Sequence, residues 1–294
     1  MRRIIFLVLL SSLFSQAISD YAYTGFEGTS LCGAVVAQKG GNWSVYHNPA
    51  GLSELDNIQV SFGYSKIFNQ SFLPYTNIDV IIPSKKKIGN FGISIQQMSI
   101  DYNGNTLSSE STLGISQGFF VLKDMNSTMS LGYTINLMNW DLGQSAGISG
   151  DGSDGIDLGS DHTFSIDIGL QAALRQKYRV GVFIKNFNQQ SVGTGLSSQP
   201  LPRRLSIGTA YYPVNGLMTS LVLDRLLGQD IQIKYGMKYE FSKSITMNIG
   251  AQSNPNRLGI GLELILSNFN INYSILTHHV LPATQQFSIG FILD

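Results

Sequence analysis

From about Asn57 to the end of the chain, apolar and polar residues alternate in runs separated by turn residues. That period of two places apolar side chains on one face of a β-strand. The clearest run is His162 to Arg175. Phe164, Ile166, Ile168, Leu170, Ala172 and Leu174 share one face, and Ser165, Asp167, Gly169, Gln171, Ala173 and Arg175 share the other. Ile231, Ile233, Tyr235, Met237, Tyr239 and Phe241 oppose Gln232, Lys234, Gly236, Lys238 and Glu240 in the same way, and Leu258, Ile260, Leu262, Leu264 and Leu266 oppose Gly259, Gly261 and Glu263. The alternation predicts about fourteen strands, most roughly ten residues long, the length needed to cross a bilayer at a tilt. They begin near residues 57, 75, 88, 109, 127, 162, 177, 202, 216, 229, 243, 256, 268 and 283.

The connections alternate too. Lys123 to Asn126, Gln176, Pro213 to Asn215 and the Ser242 turn are tight, whereas Ile67 to Pro74, Asp141 to Asp161, Gln189 to Leu201 and His278 to Pro282 are longer and follow odd-numbered strands. Short periplasmic turns and long outer loops are the habit of bacterial outer-membrane barrels, as is an even strand count. An N-terminus in the periplasm follows from that pattern. The less apolar face is mainly Gly, Ser, Thr, Asn and Gln, which suits a lumen. Aromatics gather near strand ends at Phe119-Phe120, Trp140, Tyr211-Tyr212 and Tyr239 with Phe241, positions expected of interfacial girdles. The last run, Gln285 to Asp294, carries Phe287, Ile289, Phe291 and Leu293 on one face. Pairing it with the first strand leaves no edge in lipid. A secreted β-sandwich shares the alternation and is the competing fold.

Charged residues make up 13% of the chain, against roughly 25% in ordinary soluble domains. Lys+Arg and Asp+Glu are equal at 19 each, so no basic field invites nucleic acid. Residues 1–17 read as a cleavable signal peptide: Arg2 and Arg3, an apolar Ile4 to Phe14, then Ser15-Gln16-Ala17. That apolar stretch is too short to span a bilayer, and no later one reaches about 18 residues. The expected home is the outer membrane, with its lipid and, during biogenesis, the barrel-assembly machinery as partners. The single cysteine, Cys32, excludes an intramolecular disulfide framework, and a small buried residue is its expected role.

Residues 18–55 do not alternate. Gly25, Gly28, Gly33, Gly40, Gly41 and Gly51 make the segment turn-rich, and His47-Asn48-Pro49-Ala50-Gly51-Leu52 reads as a compact turn with Asn48 extended before Pro49. Such small-residue packing suits a hatch filling a lumen. The predicted organisation is thus a signal peptide over 1–17, an N-terminal hatch over 18–55 and an all-β, transmembrane antiparallel up-and-down β-barrel of about fourteen strands over 56–294.

Gly28-Thr29-Ser30-Leu31-Cys32-Gly33-Ala34-Val35-Val36-Ala37, followed by Val45-Tyr46-His47-Asn48-Pro49-Ala50-Gly51-Leu52, resembles the N-terminal signature shared by FadL-like fatty-acid channels and the PorV/PorQ family. Asn272-Tyr273-Ser274, His278-His279-Val280-Leu281, Thr284 and Phe287-Ser288-Ile289-Gly290-Phe291 resemble the end of PorV/PorQ chains. Leu201-Pro202-Arg203-Arg204-Leu205-Ser206-Ile207-Gly208 and Gly181-Val182-Phe183-Ile184-Lys185-Asn186 are similar to that family's strand starts. The resemblance implies a fourteen-stranded barrel with a hatch built on Gly33, Ala34, Asn48, Pro49, Ala50 and Gly51. One departure is Gly40-Gly41-Asn42, which stands where an acidic pair is usual.

Three motifs suggest other chemistry. Gly114-Ile115-Ser116-Gln117-Gly118 matches a nucleophile elbow, yet it lies within an alternating run and no helix follows. Asp151-Gly152-Ser153-Asp154-Gly155-Ile156-Asp157 offers carboxylates for calcium but lacks the distal acid of an EF-hand. His278-His279 would point to opposite faces if on a strand, a poor two-point ligand, and reads as part of a polar outer loop. Lys85-Lys86-Lys87 reads as a solvated turn. No catalysis, metal or cofactor is expected. The resemblance implies a PorV/PorQ-like accessory of protein secretion across the outer membrane, of the type IX kind, with secreted proteins or secretion machinery as partners. The alternative is a FadL-like channel for fatty acids or other hydrophobic small molecules, in which the hatch shifts and a strand irregularity opens a lateral exit.

Overall fold

The computed structural model describes residues 21–293 except 85–87, 103–104, 144, 146, 149, 151–152 and 194–197. The proposed signal peptide, the first residues of the hatch, the Lys85-Lys86-Lys87 run and Asp151-Gly152 lie outside the described residues.

The wall strands are β1 (Ile58–Lys66), β2 (Pro74–Ile82), β3 (Asn90–Tyr102), β4 (Asn105–Lys123), β5 (Ser127–Asp141), β6 (Ser160–Leu174) and β7 (Tyr178–Lys185). After β8 (Ser191–Val192) and β9 (Gln199–Pro200), which pair only with each other, come β10 (Arg204–Tyr211), β11 (Leu217–Leu226), β12 (Gln232–Ser242), β13 (Ile245–Gln252), β14 (Arg257–Leu266), β15 (Phe269–Leu276) and β16 (Thr284–Leu293). Leaving out β8 and β9, the strands form one closed antiparallel barrel of 14. Each expected start lies within a few residues of an observed one. Closure runs from Ile58 opposite Leu293 to Lys66 opposite Gln285, so every wall strand has a strand neighbour on both sides and the sheet has no free end strand. No described helix is long and apolar enough to cross a membrane.

Alternation sorts the side chains as expected. Phe62, Ile93, Ile115, Ile135, Phe164, Ile207, Leu221, Ile233, Ile260 and Phe287 are exposed on the outer face, while Ser61, Ser116, Thr134, Ser165, Lys234 and Asn248 are buried within. Such an inversion of the soluble pattern is what a lipid-facing wall requires. Two aromatics expected at the membrane interface point inward instead. Trp140 has the parity of Thr134 and Asn136 on β5, and it packs under Val192 and Leu201 of the long β7–β10 connection. Tyr212 packs against the inner N-terminal segment, its hydroxyl accepting the Lys39 N–H at 2.9 Å. Tyr239 and Phe241 are exposed and meet edge to face with centroids 4.8 Å apart.

Inside the barrel run α1 (Gly25–Ser30), α2 (Ser44–His47) and a 3-10 turn over Pro49–Glu54. The two longest connections, β5–β6 and β7–β10, lie at one end of the barrel, and the β4–β5 and β10–β11 turns at the other, which makes the orientation testable. Single cysteines at Ser153 and Ser198 should react with an impermeant thiol reagent on intact cells, and cysteines at Asn126 and Asn215 only after the outer membrane is breached. All four positions are exposed and Cys32 is buried, so the native thiol adds no background. Labelling of all four on intact cells would overturn the orientation.

Candidate functional site

The inner segment meets the wall at glycines on the lumen face. A Cβ added at Gly118 (β4) or Gly132 (β5) would overlap the backbone of Pro49; at Gly169 (β6) it would overlap Asn48 Oδ1, at Gly181 (β7) the carbonyl of Val36, and at Gly250 (β13) the backbone of Leu31. At Gly92 (β3) it would lie 2.6 Å from Val45 Cγ1, at Gly259 (β14) 2.6 Å from the Ser30 and Thr29 carbonyls, and at Gly261 2.5 Å from Phe26 Cε2. Glycine weakens a strand, and close approach of another backbone is a standard reason for it. Here the approaching atoms, backbone at Gly118, Gly132, Gly181, Gly250 and Gly259 and side chain at Gly92, Gly169 and Gly261, belong to residues 26–53.

Asn48 pins this packing. Its Nδ2 donates to the carbonyls of Val36 (2.8 Å), Leu170 (3.2 Å) and Val182 (3.3 Å), tying the inner segment to itself and to β6 and β7. Its Oδ1 accepts the Ala50 N–H at 3.1 Å, which caps the 3-10 turn that Pro49 opens. Ala50 and Gly51 are buried where that turn crosses Gly40; a Cβ at Gly51 would sit 3.3 Å from Gly40 Cα. The Gly40-Gly41 pair therefore permits a backbone crossing. Gly33 has φ +76°, and a Cβ there would stand 3.1 Å from Lys234 Nζ; positive φ favours glycine. The Ala34 carbonyl accepts Ser220 Oγ of β11 at 2.7 Å. The six motif residues thus do not converge on one cavity. They are spread along the interface between inner segment and wall.

Charges on the lumen face, absent from the sequence-derived site, complete that interface. Arg179 of β7 reaches Glu54 at 2.7 Å and donates from Nε to the Ala37 carbonyl at 3.2 Å. Lys238 of β12 lies 3.4 Å from Glu27 of α1 and 3.9 Å from Glu263 of β14. Lys234 pairs with Asp224 of β11 at 2.7 Å, with Arg204 of β10 at 3.9 Å from the same carboxylate. The discoverable signal was their position, on the polar face of alternating runs where a solvated lumen would not need paired charge. Removing one partner of a buried pair strands the other and costs roughly 3–5 kcal/mol.

Beside these pairs lies a cavity of about 50 Å³ lined by Tyr46, His47, Asn136, Asp167, Lys185 and Arg204 among others. That is room for no more than a few waters. Burial pushes the His47 imidazole down to about 3, so it is neutral at physiological pH. Ser116 is a wall residue bonded to Thr134 Oγ1 at 2.8 Å, not a nucleophile on a turn. In the long β5–β6 connection, Asp154 and Asp157 accept backbone N–H groups of Ile148 and Gly159. His278 and His279 sit in the β15–β16 connection with ring centroids 4.3 Å apart, and His278 Nδ1 accepts the Val280 and Leu281 N–H groups. Among the described residues no group of three or more His, Cys, Asp or Glu is placed to hold a metal.

Residues 99–260, more than half of the chain, match the family described as F plasmid transfer operon, TraF, protein. The chain belongs to this family. Three solved structures share the fold of this TraF-family barrel. A TodX deltaS2S3 mutant monoaromatic hydrocarbon channel aligns with TM-score 0.62 and 10% identity over 92% of this chain and 98% of that one. A Pseudomonas aeruginosa FadL homologue gives 0.57 and 10% over 92% and 98%, and the Pseudomonas putida toluene transporter TodX 0.57 and 12% over 90% and 95%. No curated protein matches the sequence. The fold is thus that of FadL-like outer-membrane channels.

Proposed function

We propose that this TraF-family protein is an outer-membrane channel for apolar or amphipathic small molecules, with residues 18–55 as its hatch. The observation that carries the reading is a closed barrel, apolar outside and filled by its own N-terminal segment, superposing over nearly its whole length on hydrocarbon channels. The family's description names a plasmid transfer operon and no substrate. Register shifts in the wall occur at Ile100/Asp101, Phe120/Leu122 and Glu240/Ser242, near strand ends. Mid-wall pairing is regular, so passage requires the hatch to move or strands to part.

That unbroken wall also favours a second reading, a PorV/PorQ-like secretion accessory that binds partners without conducting. Purification of the protein from outer membranes, with mass spectrometry of extracted small molecules and uptake assays in proteoliposomes, tests both. A bound acyl or aromatic compound and protein-dependent uptake support the channel. Co-purifying secretion components without ligand or uptake would reject it for the accessory role.

A further inference from the structure

The charges of the lumen are unevenly distributed. Arg179, Arg204, Lys234 and Lys238, on β7, β10 and β12, each stand beside a carboxylate. Asp79, on the lumen face of β2 across the barrel, is fully buried; among the described residues only the Ser61 hydroxyl is near enough to offset that burial, and neither carboxylate oxygen makes a hydrogen bond of good geometry. Among the described residues no basic group contributes to its electrostatic surroundings. Taking a carboxylate out of water without a counter-charge is strongly unfavourable. The surroundings must supply compensation.

What surrounds Asp79 is neutral oxygen. Ser61 is its cross-strand partner on β1 and Ser94 on β3. Asn77 lies two residues away on the same face, opposite Gly63, and fills the space a side chain there would take: a Cβ on Gly63 would be 2.6 Å from Asn77 Oδ1. Ser61 and Asn77 are as buried as Asp79; the Ser61 hydroxyl has only the Asp79 carboxylate beside it, and both amide atoms of Asn77 lack partners. Three adjacent side chains on two strands therefore leave hydrogen-bonding capacity unused at one place, contrary to the near-universal pairing of buried polar groups.

We propose that Asp79, Asn77 and Ser61 form a binding site for a monovalent metal cation of the sodium type. An all-oxygen donor set selects a hard cation over a transition metal. A single carboxylate matches a single positive charge, and binding satisfies oxygens that are otherwise orphaned. The site bridges β1 and β2, next to the seam where β1 closes on β16, so the ion ties the barrel closed from within. This inference does not depend on what the channel carries.

Thermal unfolding of the full chain in detergent, with sodium chloride replacing choline chloride at constant ionic strength, tests it. Sodium should raise the Tm of the unaltered protein saturably, by a few degrees at concentrations well above Kd. Asp79→Asn should abolish the shift and Ser61→Ala should reduce it. A flat response of the unaltered protein overturns the proposal, and a higher Tm for Asp79→Asn would then identify a protonated carboxyl instead. A sodium response that survives Asp79→Asn also overturns it, as does a larger shift with calcium than with sodium. Should Asp79→Asn fail to fold, an undiminished response in both Ser61→Ala and Asn77→Ala would overturn it equally.

Discussion

Alanine at Gly132 is expected to unseat the inner segment while leaving the wall standing. The new methyl group would overlap the Pro49 carbonyl carbon and the Ala50 nitrogen, and these are backbone atoms that cannot rotate away. Pro49 also rests on Gly118, the cross-strand partner of Gly132, and its neighbour Asn48 is bonded to two wall strands. Overpacking of this kind costs about 1–3 kcal/mol. The protein should keep its heat-modifiable migration, lose several degrees in Tm and admit small solutes, approaching a variant that lacks residues 18–55. The deletion supplies the decisive comparison. In a barrel without the hatch, Gly132→Ala should be close to neutral, because the two changes remove the same contact and cannot add. Equal destabilisation with and without residues 18–55, or unchanged permeability in the deletion itself, would refute the hatch.

The second large effect concerns neighbouring residues on β6. Ile168 faces outward and Gly169 inward. Lysine at Ile168 should block insertion, costing roughly 2–4 kcal/mol if the site lies near the midplane. Lysine at Gly169 avoids lipid, and alternation alone would rank it as the milder change. The structure alters that expectation, since any Cβ at Gly169 overlaps Asn48 Oδ1, the atom that caps the 3-10 turn. Gly169→Lys should therefore insert normally but behave like Gly132→Ala in permeability. Quantifying the heat-modifiable band in membranes separates the two defects. Equal insertion of Ile168→Lys and Gly169→Lys would contradict the facing of β6.

The strands, their number and the outward apolar face were legible because alternation is local: each residue's face depends only on its parity along its own strand. Strand count then determined closure, since a membrane wall tolerates no open edge. Asn48-Pro49-Ala50-Gly51 was likewise readable as a compact turn from backbone preferences alone. The glycines at 118, 132, 169 and 181 were visible only as gaps in a polar face; their reason is contact with Pro49, Asn48 and Val36, from which they are separated by tens to more than a hundred residues along the chain. Trp140 and Tyr212 were misassigned to the membrane interface for the same cause, because composition near a strand end does not say whether a loop or an inner segment covers the ring. The pairing of Arg179 with Glu54 and of Lys238 with Glu27, and the isolation of Asp79, were decided only in three dimensions. A barrel brings opposite walls and a folded segment to one axis, and no sequence period records which side chains meet there.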